Sequence, residues 1–149
     1  MGIISEFMND DHSYIDELWA KVLNEKSDLD LLSEYLRNFK EHLLLHMKLE
    51  DDYLFPRLNS YLGIDINSGL TAMAKRDHLI ILKLLTFTEE AEKARDIKKA
   101  ILTGRHLDRA LKKHREREQM IQYPVSDVFI ERDEWEIMLI KIYGKKLEY

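Results

Sequence analysis

The sequence contains no cysteine among its 149 residues. Disulfide bonds, thiolate-bound metals, iron–sulfur clusters ligated by this chain and a cysteine nucleophile are therefore excluded. A chain that uses no disulfide also fits a reducing compartment, so we expect a cytoplasmic protein.

Helix-breaking residues, long apolar runs and excess positive charge are scarce as well. With 5 Gly, 2 Pro, 45% hydrophobic and 34% charged residues, the composition favours an all-α protein. No apolar run approaches the ~18 residues that can span a membrane, and the N-terminus does not resemble a secretory signal. The formal net charge of −5 provides no basic surface. We therefore predict neither a membrane nor a nucleic-acid partner.

Apolar residues recur at steps of three and four along five segments, which predicts five helices. Asn9 or Asp10 would cap the first helix, which ends near Lys26. The other predicted helices span about 30–59, 69–93, 97–123 and 127–143. Pro56 and Pro124 lie where they can kink or end their helices.

These segments predict a single domain with an all-α fold. Two αα-hairpins, covering about 9–124, would form an antiparallel up-down-up-down four-helix bundle. A short fifth helix would follow within 125–149, where it caps the bundle or packs against a partner. Residues 1–7 precede a second methionine, Met8. They could come from an expression vector and are left out of the predicted fold.

Histidine and glutamate occupy steps of the apolar stripes where leucine would be expected. His46 and Glu50 lie one turn apart in the second helix, and His114 and Glu118 repeat this arrangement in the fourth. Unpaired polar groups in a core cost several kcal/mol (~2–7). A satisfied core pair could explain one such motif, but a metal ion is the better partner for both.

The motif belongs to an internal repeat. In each half an Asp-His pair is followed by His-x3-Glu-x5-Pro, and 34 residues separate His12 from His46 while 36 separate His78 from His114. At a rise of ~1.5 Å per residue, all six groups fall within roughly 3–6 Å of one level in the bundle. The predicted metal ligands are His12, His46, Glu50, His78, His114 and Glu118.

Four imidazoles and two carboxylates exceed the four ligands of a structural zinc site. They suit two ions bridged by Glu50 and Glu118, about 3.5–4 Å apart. Nitrogen and oxygen ligands without sulfur favour iron, with manganese and zinc ranking below it. His42 is predicted to lie behind the ligands or at the surface, with direct ligation as a lesser alternative. Tyr53 could also lie behind the ligands, but core packing is the better interpretation. No catalytic residue is predicted.

The doubled motif, with Leu-Phe-Pro after the first Glu and Gln-Tyr-Pro after the second, resembles the hemerythrin-like family, the HHE cation-binding domain. This resemblance implies a non-haem di-iron centre with oxo or hydroxo and carboxylate bridges. Oxygen-carrying members have a further histidine where this chain has Leu82 and an aspartate where it has Gln119. The set of four His and two Glu is closest to the iron-centre repair (RIC-type) branch, which commonly adds a cysteine-containing N-terminal segment.

Three functions are open to such a protein. The first is a redox protein of stress response or iron-centre repair that reacts with O2, NO or peroxide. The second is a non-enzymatic module that binds or senses oxygen. The third is a metal-stabilised interaction bundle, in which 127–143 docks a protein partner or a second copy of the chain.

Overall fold

Helices account for all of the regular structure in the part of the chain that the computed structural model describes, residues 1–65 and 67–144. We label two π-helical turns π1 and π2. The elements in chain order are α1 (Ile3–Asn24), α2 (Leu29–Leu49), π1 (Glu50–Leu54), α3 (Phe55–Leu62), α4 (Gly69–Lys93), α5 (Ile97–Arg117), π2 (Glu118–Gln122), α6 (Tyr123–Phe129) and α7 (Arg132–Tyr143).

Two helical hairpins form the body of the structure, as the sequence predicts. Helix α1 packs on α2, and α4 packs on α5. Aspartates begin the second helix of each hairpin. Asp28 accepts hydrogen bonds from the backbone N–H groups of Asp30 and Leu31, and Asp96 accepts one from Lys99. The prediction of an all-α bundle with a short C-terminal helix is confirmed.

The apolar core is divided into two clusters. One lies toward the hairpin turns and includes Trp19, Phe39, Leu85 and Leu107. The other lies toward the chain ends and includes Ile4, Met8 and Trp135. The four buried histidines of the repeat belong to neither cluster. The helices of His12, His46 and His78 contribute to both clusters, and the helix of His114 contributes to the first.

The first helix begins at Ile3, so the predicted start after Asn9 was wrong. Asp127 caps this helix from the far end of the chain: its Oδ1 accepts from the backbone N–H groups of Ile4, at 2.8 Å, and Ser5, at 3.2 Å. Ile4 and Met8 are fully buried. Leaving residues 1–7 out of the fold was therefore also wrong. The cap could not be read locally because it lies 123 residues from Ile4.

Neither proline ends its helix. The second helix passes through π1 into α3 and ends at Gly63, whose φ of +66° suits a residue without a side chain. The fourth passes through π2 into α6 and ends at Phe129. Each proline follows a π-helical turn, and this wider turn accommodates a ring that would clash with a carbonyl in a regular α-helix. The predicted ends near residues 59 and 123 were too early.

The C-terminal helix is shorter than predicted. Helix α7 spans Arg132–Tyr143, and Asp127 belongs to α6. Trp135, Met138 and Leu139 of α7 are buried in the bundle's second cluster, which agrees with a capping role. Residues 145–149 of the predicted segment lie outside the described residues. None of the described helices has the length and apolar character needed to cross a membrane.

The burial of the first turn leads to a test by two matched isoleucine truncations. Ile4→Ala should lower the free energy of unfolding by about 2–5 kcal/mol, because it opens a cavity in a closed cluster. Ile137→Ala, at a side chain that is 54% exposed, should change it by less than about 0.5 kcal/mol. Urea unfolding followed by circular dichroism measures both, and equal small losses would contradict the packing of residues 3–8.

Candidate metal centre

The structure brings all six predicted ligands into one buried layer. Glu50 and Glu118 have no exposed surface, and the four histidines are at most 6% exposed. The Nε2 atoms of His78 and His114 lie 2.9 Å apart. His114 Nε2 also lies 3.1 Å from Glu118 Oε1, and His46 Nε2 lies 3.4 Å from Glu50 Oε1. Each helix of the two hairpins contributes to this layer.

The layer divides into two overlapping groups. Ligand atoms of Glu50, His78, His114 and Glu118 lie within 4.8 Å of one another, and so do those of His12, His46 and Glu118. Glu118 belongs to both groups. Glu50 reaches both sides too, because its Oε1 lies 3.3 Å from His78 Nε2 and 3.4 Å from His46 Nε2. The two carboxylates therefore have the position of bridges, as the sequence predicts.

Three aspartates hold histidine rings from behind. The Nδ1–H groups donate from His46 to Asp11 at 2.6 Å, from His78 to Asp51 at 2.9 Å and from His114 to Asp77 at 3.1 Å. Each bond fixes the ring and leaves Nε2 free to face the centre, which is the usual environment of a metal-bound histidine. Asp11 and Asp77 are the aspartates of the repeated Asp-His pairs, for which the sequence left open a role in helix N-terminal turns or in orienting ligands. The sequence did not point to Asp51.

His12 has a different partner. The side-chain amide of Gln119 lies 3.1 Å from His12 Nδ1, with its nitrogen facing the ring. An amide turned over would present its oxygen instead and would accept from Nδ1–H. Gln119 stands where the resemblance places an aspartate in oxygen carriers. Here it contacts a predicted ligand rather than joining the ligand set.

Of the two residues predicted to lie behind the ligands, the structure places His42 there and Tyr53 elsewhere. His42 Nε2–H donates to Asp11 Oδ1 at 2.7 Å, so His42 holds the carboxylate that holds His46. Tyr143 of α7 donates to Asp11 Oδ2 at 3.1 Å and completes this cluster. Tyr53 instead packs below Lys141, whose Nζ lies 5.3 Å from the ring centre. It lines a surface pocket beside Pro56.

The tyrosine that does enter the centre is Tyr123, which the sequence did not single out. It is fully buried, and its hydroxyl donates to Glu50 Oε2 at 2.7 Å. The same oxygen lies 3.0 Å from His12 Nε2 and 3.1 Å from Glu118 Oε1. Its place in the repeat, next to Pro124, was visible, but a regular α-helix would turn it away from Glu118.

The π-helical turns explain this orientation. The backbone N–H of Tyr123 bonds to the carbonyl of Glu118, and that of Phe55 bonds to Glu50, both five residues back. Residues five apart lie about 140° apart around an α-helix, but they come close to the same face in a π-helical turn. Each turn thus brings an aromatic ring to the side of the helix that carries the glutamate.

Buried charge shifts the pKa values of the carboxylates in opposite directions. Burial and the negative charge of Glu118 raise the pKa of Glu50. Burial would raise the pKa of Glu118 too, but the hydrogen bond from Glu50 and the charge of His114 lower it to about 2. The two groups are therefore coupled, and a proton binds more readily to Glu50 than to Glu118.

The histidines also differ. Burial, helped by the charge of His46, lowers the pKa of His12 to about 2. Burial opposes protonation of His78, but the nearby carboxylates of Asp51 and Glu50 raise its pKa to about 10. A proton on His78 supplies positive charge where a metal ion would supply it, and metal binding must displace that proton.

Two carboxylate oxygens show that the residues fit a metal. Glu50 Oε1 and Glu118 Oε2 are buried without a hydrogen-bond partner among the described residues. Buried carboxylate oxygens are normally satisfied, and cations placed between the two ligand groups would satisfy both. A cavity of about 20 Å³ lies within the layer, and it is lined by the six predicted ligands together with Ile15, Leu43, Met47, Leu111 and Arg115. This volume holds about one water-sized molecule.

The fold and the site together define a metal-binding helical bundle with a histidine and carboxylate ligand set. The chain belongs to the family of the hemerythrin HHE cation-binding domain, whose model matches residues 3–125. The match begins within the turn that Asp127 caps, in agreement with the burial of Ile4. Neither the curated proteins nor the solved structures gave a significant match.

The aspartates behind the ligands can be tested with neighbouring carboxylates. Asp11→Asn keeps the shape of the side chain but removes the charge that orients His46, and metal affinity should fall about 10–100-fold. Asp10→Asn, at the exposed preceding position, should leave affinity unchanged. Competition with a chromophoric chelator gives both values. Equal affinities for the two variants would show that Asp11 does not support the centre.

Proposed function

We propose that this protein holds two iron ions between Glu50 and Glu118 and reacts with, or senses, a small oxidant or diatomic gas. The observation that carries the proposal is the pair of overlapping ligand groups, which share Glu118 and leave one oxygen of each glutamate unpaired. A single ion could satisfy one group only. Iron suits the ligand set of nitrogen and oxygen best, with manganese and zinc behind it.

The residues prepare the site for small ligands. A pair of iron ions would supply electrons and an open coordination position for O2, NO or peroxide. The small cavity of about 20 Å³ supports a small ligand rather than a large substrate. Apart from the ligands and Arg115, its lining is apolar, from Ile15, Leu43, Met47 and Leu111, and this supports an uncharged diatomic molecule as the ligand.

The ligand set supports a redox role in stress response or iron-centre repair as the first choice. It resembles that branch of the family in having four His and two Glu. Reversible oxygen binding or sensing is the second choice, and it uses the same cavity. Docking through 127–143 is the third, and its main support is the exposure of Val128, at 77%, and Ile137, at 54%. The buried face of α7 is already used within the bundle.

Metal stoichiometry tests the bridging role directly. The protein loaded with iron should hold two ions per chain, and Glu50→Gln or Glu118→Gln should hold at most one, because a neutral amide cannot bridge two cations. Glu116→Gln, at an exposed position on α5, should keep both. Iron analysis after gel filtration gives the count. Less than one metal per wild-type chain would contradict the dinuclear proposal.

Gas reactivity tests the cavity. Leu111→Phe should fill the space beside the ions and slow the reaction of the ferrous protein with O2 or NO by about tenfold, which is ~1.4 kcal/mol in the barrier. Leu102→Phe, at an exposed position on α5, is the matched control. Stopped-flow spectra measure the rates at equal iron content. Unchanged rates in Leu111→Phe would place the reaction elsewhere.

The same spectra separate the first two functions. Reversible oxygenation would support carriage or sensing, whereas rapid irreversible oxidation would support redox work.

A further inference from the structure

Tyr123 gives the two ligand groups different chemistry. Its hydroxyl oxygen lies 3.0 Å from His12 Nε2, 3.4 Å from His46 Nε2 and 3.1 Å from Glu118 Oε1. These three residues are the complete second ligand group. The phenol oxygen thus lies close enough to the ligand atoms of His12, His46 and Glu118 to bind the same ion.

Only one of the two ions has a further donor beside it. With Glu50 and Glu118 as bridges, each ion has two histidines and two carboxylates, His78 and His114 on one side and His12 and His46 on the other. Ions of this kind commonly take four or more ligands, so each ion has room for another. The hydroxyl of Tyr123 offers an additional oxygen donor to the ion beside His12 and His46, and the side chain is fully buried, so it cannot reach bulk water instead.

The internal repeat supplies an independent comparison. Phe55 holds the position in the first half that Tyr123 holds in the second, five residues after the glutamate and directly before the proline. Phe55 stacks against His78, with ring centres 6.5 Å apart. Both π-helical turns therefore aim a ring at the centre, but only the second ring carries an oxygen. The duplicated halves differ here by a single donor atom.

We propose that the phenol oxygen of Tyr123 is an additional ligand, beyond the two bridging glutamates, of the ion held by His12 and His46. This inference rests on the proposed function, because it assumes that both positions are filled. When the bond between oxygen and iron forms, the O–H bond of the phenol breaks. The proton passes to solvent, first through Glu50, which accepts the hydroxyl hydrogen bond at 2.7 Å.

An anionic oxygen ligand on one ion has a defined consequence. Phenolate favours the ferric state, so the ion beside His12 and His46 should be the harder one to reduce. Tyrosine oxygen serves as an iron ligand in other proteins, which shows that the bond is chemically ordinary. The two ions would then hold their electrons unequally, although the surrounding histidines and glutamates are arranged by the same repeat.

The test uses the full chain loaded with two ferric ions. Wild type should show a visible charge-transfer band from phenolate to iron, and resonance Raman excitation in that band should show tyrosine ring vibrations. Tyr123→Phe should lose both signals, as its counterpart Phe55 predicts. Tyr53→Phe is the matched control. Tyr53 lies in π1, three residues after Glu50, but its ring contacts Lys141 rather than the ligand groups. It should keep both signals.

The outcomes separate this inference from the proposal of a di-iron centre. Two irons per wild-type chain without the phenolate band would overturn the role of Tyr123 and leave the di-iron centre standing. Fewer than two irons would overturn the centre itself. A band that survives in Tyr123→Phe would also overturn the assignment. If that variant does not fold, the wild-type spectrum still decides, because the band must be present.

Discussion

Two carboxylates that lie together without exposed surface are the constraint on which the rest of the structure depends. The idealised cost of moving one such ion into a dry interior is on the order of 20 kcal/mol, whereas a whole domain of this size is stable by only about 5–15 kcal/mol. Glu50 and Glu118 can therefore persist only beside positive charge. The histidines, their aspartates and the order of the repeat all serve this requirement.

The neutralising groups are arranged outward in successive layers. Imidazoles surround the glutamates, and aspartates hold the imidazoles by their outer nitrogens. Asp11 is held in turn by His42 and Tyr143. Because Tyr143 belongs to α7, the C-terminal helix supports the centre through Asp11 and His46 as well as closing the apolar core. Stability of the bundle end and order of the ligands are consequently linked.

The fold and the six predicted ligands could be read from the sequence because each ligand breaks an apolar stripe. His46 and Glu50 are conspicuous where leucine is expected, and the repeat raises them above chance. Their role as ligands stays a prediction, but their meeting in one layer is observed. Asp51 and Tyr123 were missed for a physical reason. Asp51 lies within π1, and Tyr123 directly follows π2. Such π-helical turns leave no clear periodic signal in a sequence. The cap on α1 was missed because Asp127 is distant in sequence.

The contact between Gly2 and Asp127 has a practical consequence for protein production. A Cβ atom at residue 2 would lie 2.2 Å from Cγ of Asp127, the carboxylate that caps the first helix. Any larger residue there must push that side chain aside. An affinity tag that replaces Gly2 with a larger residue would therefore disturb the carboxylate that accepts hydrogen bonds from the first turn of α1.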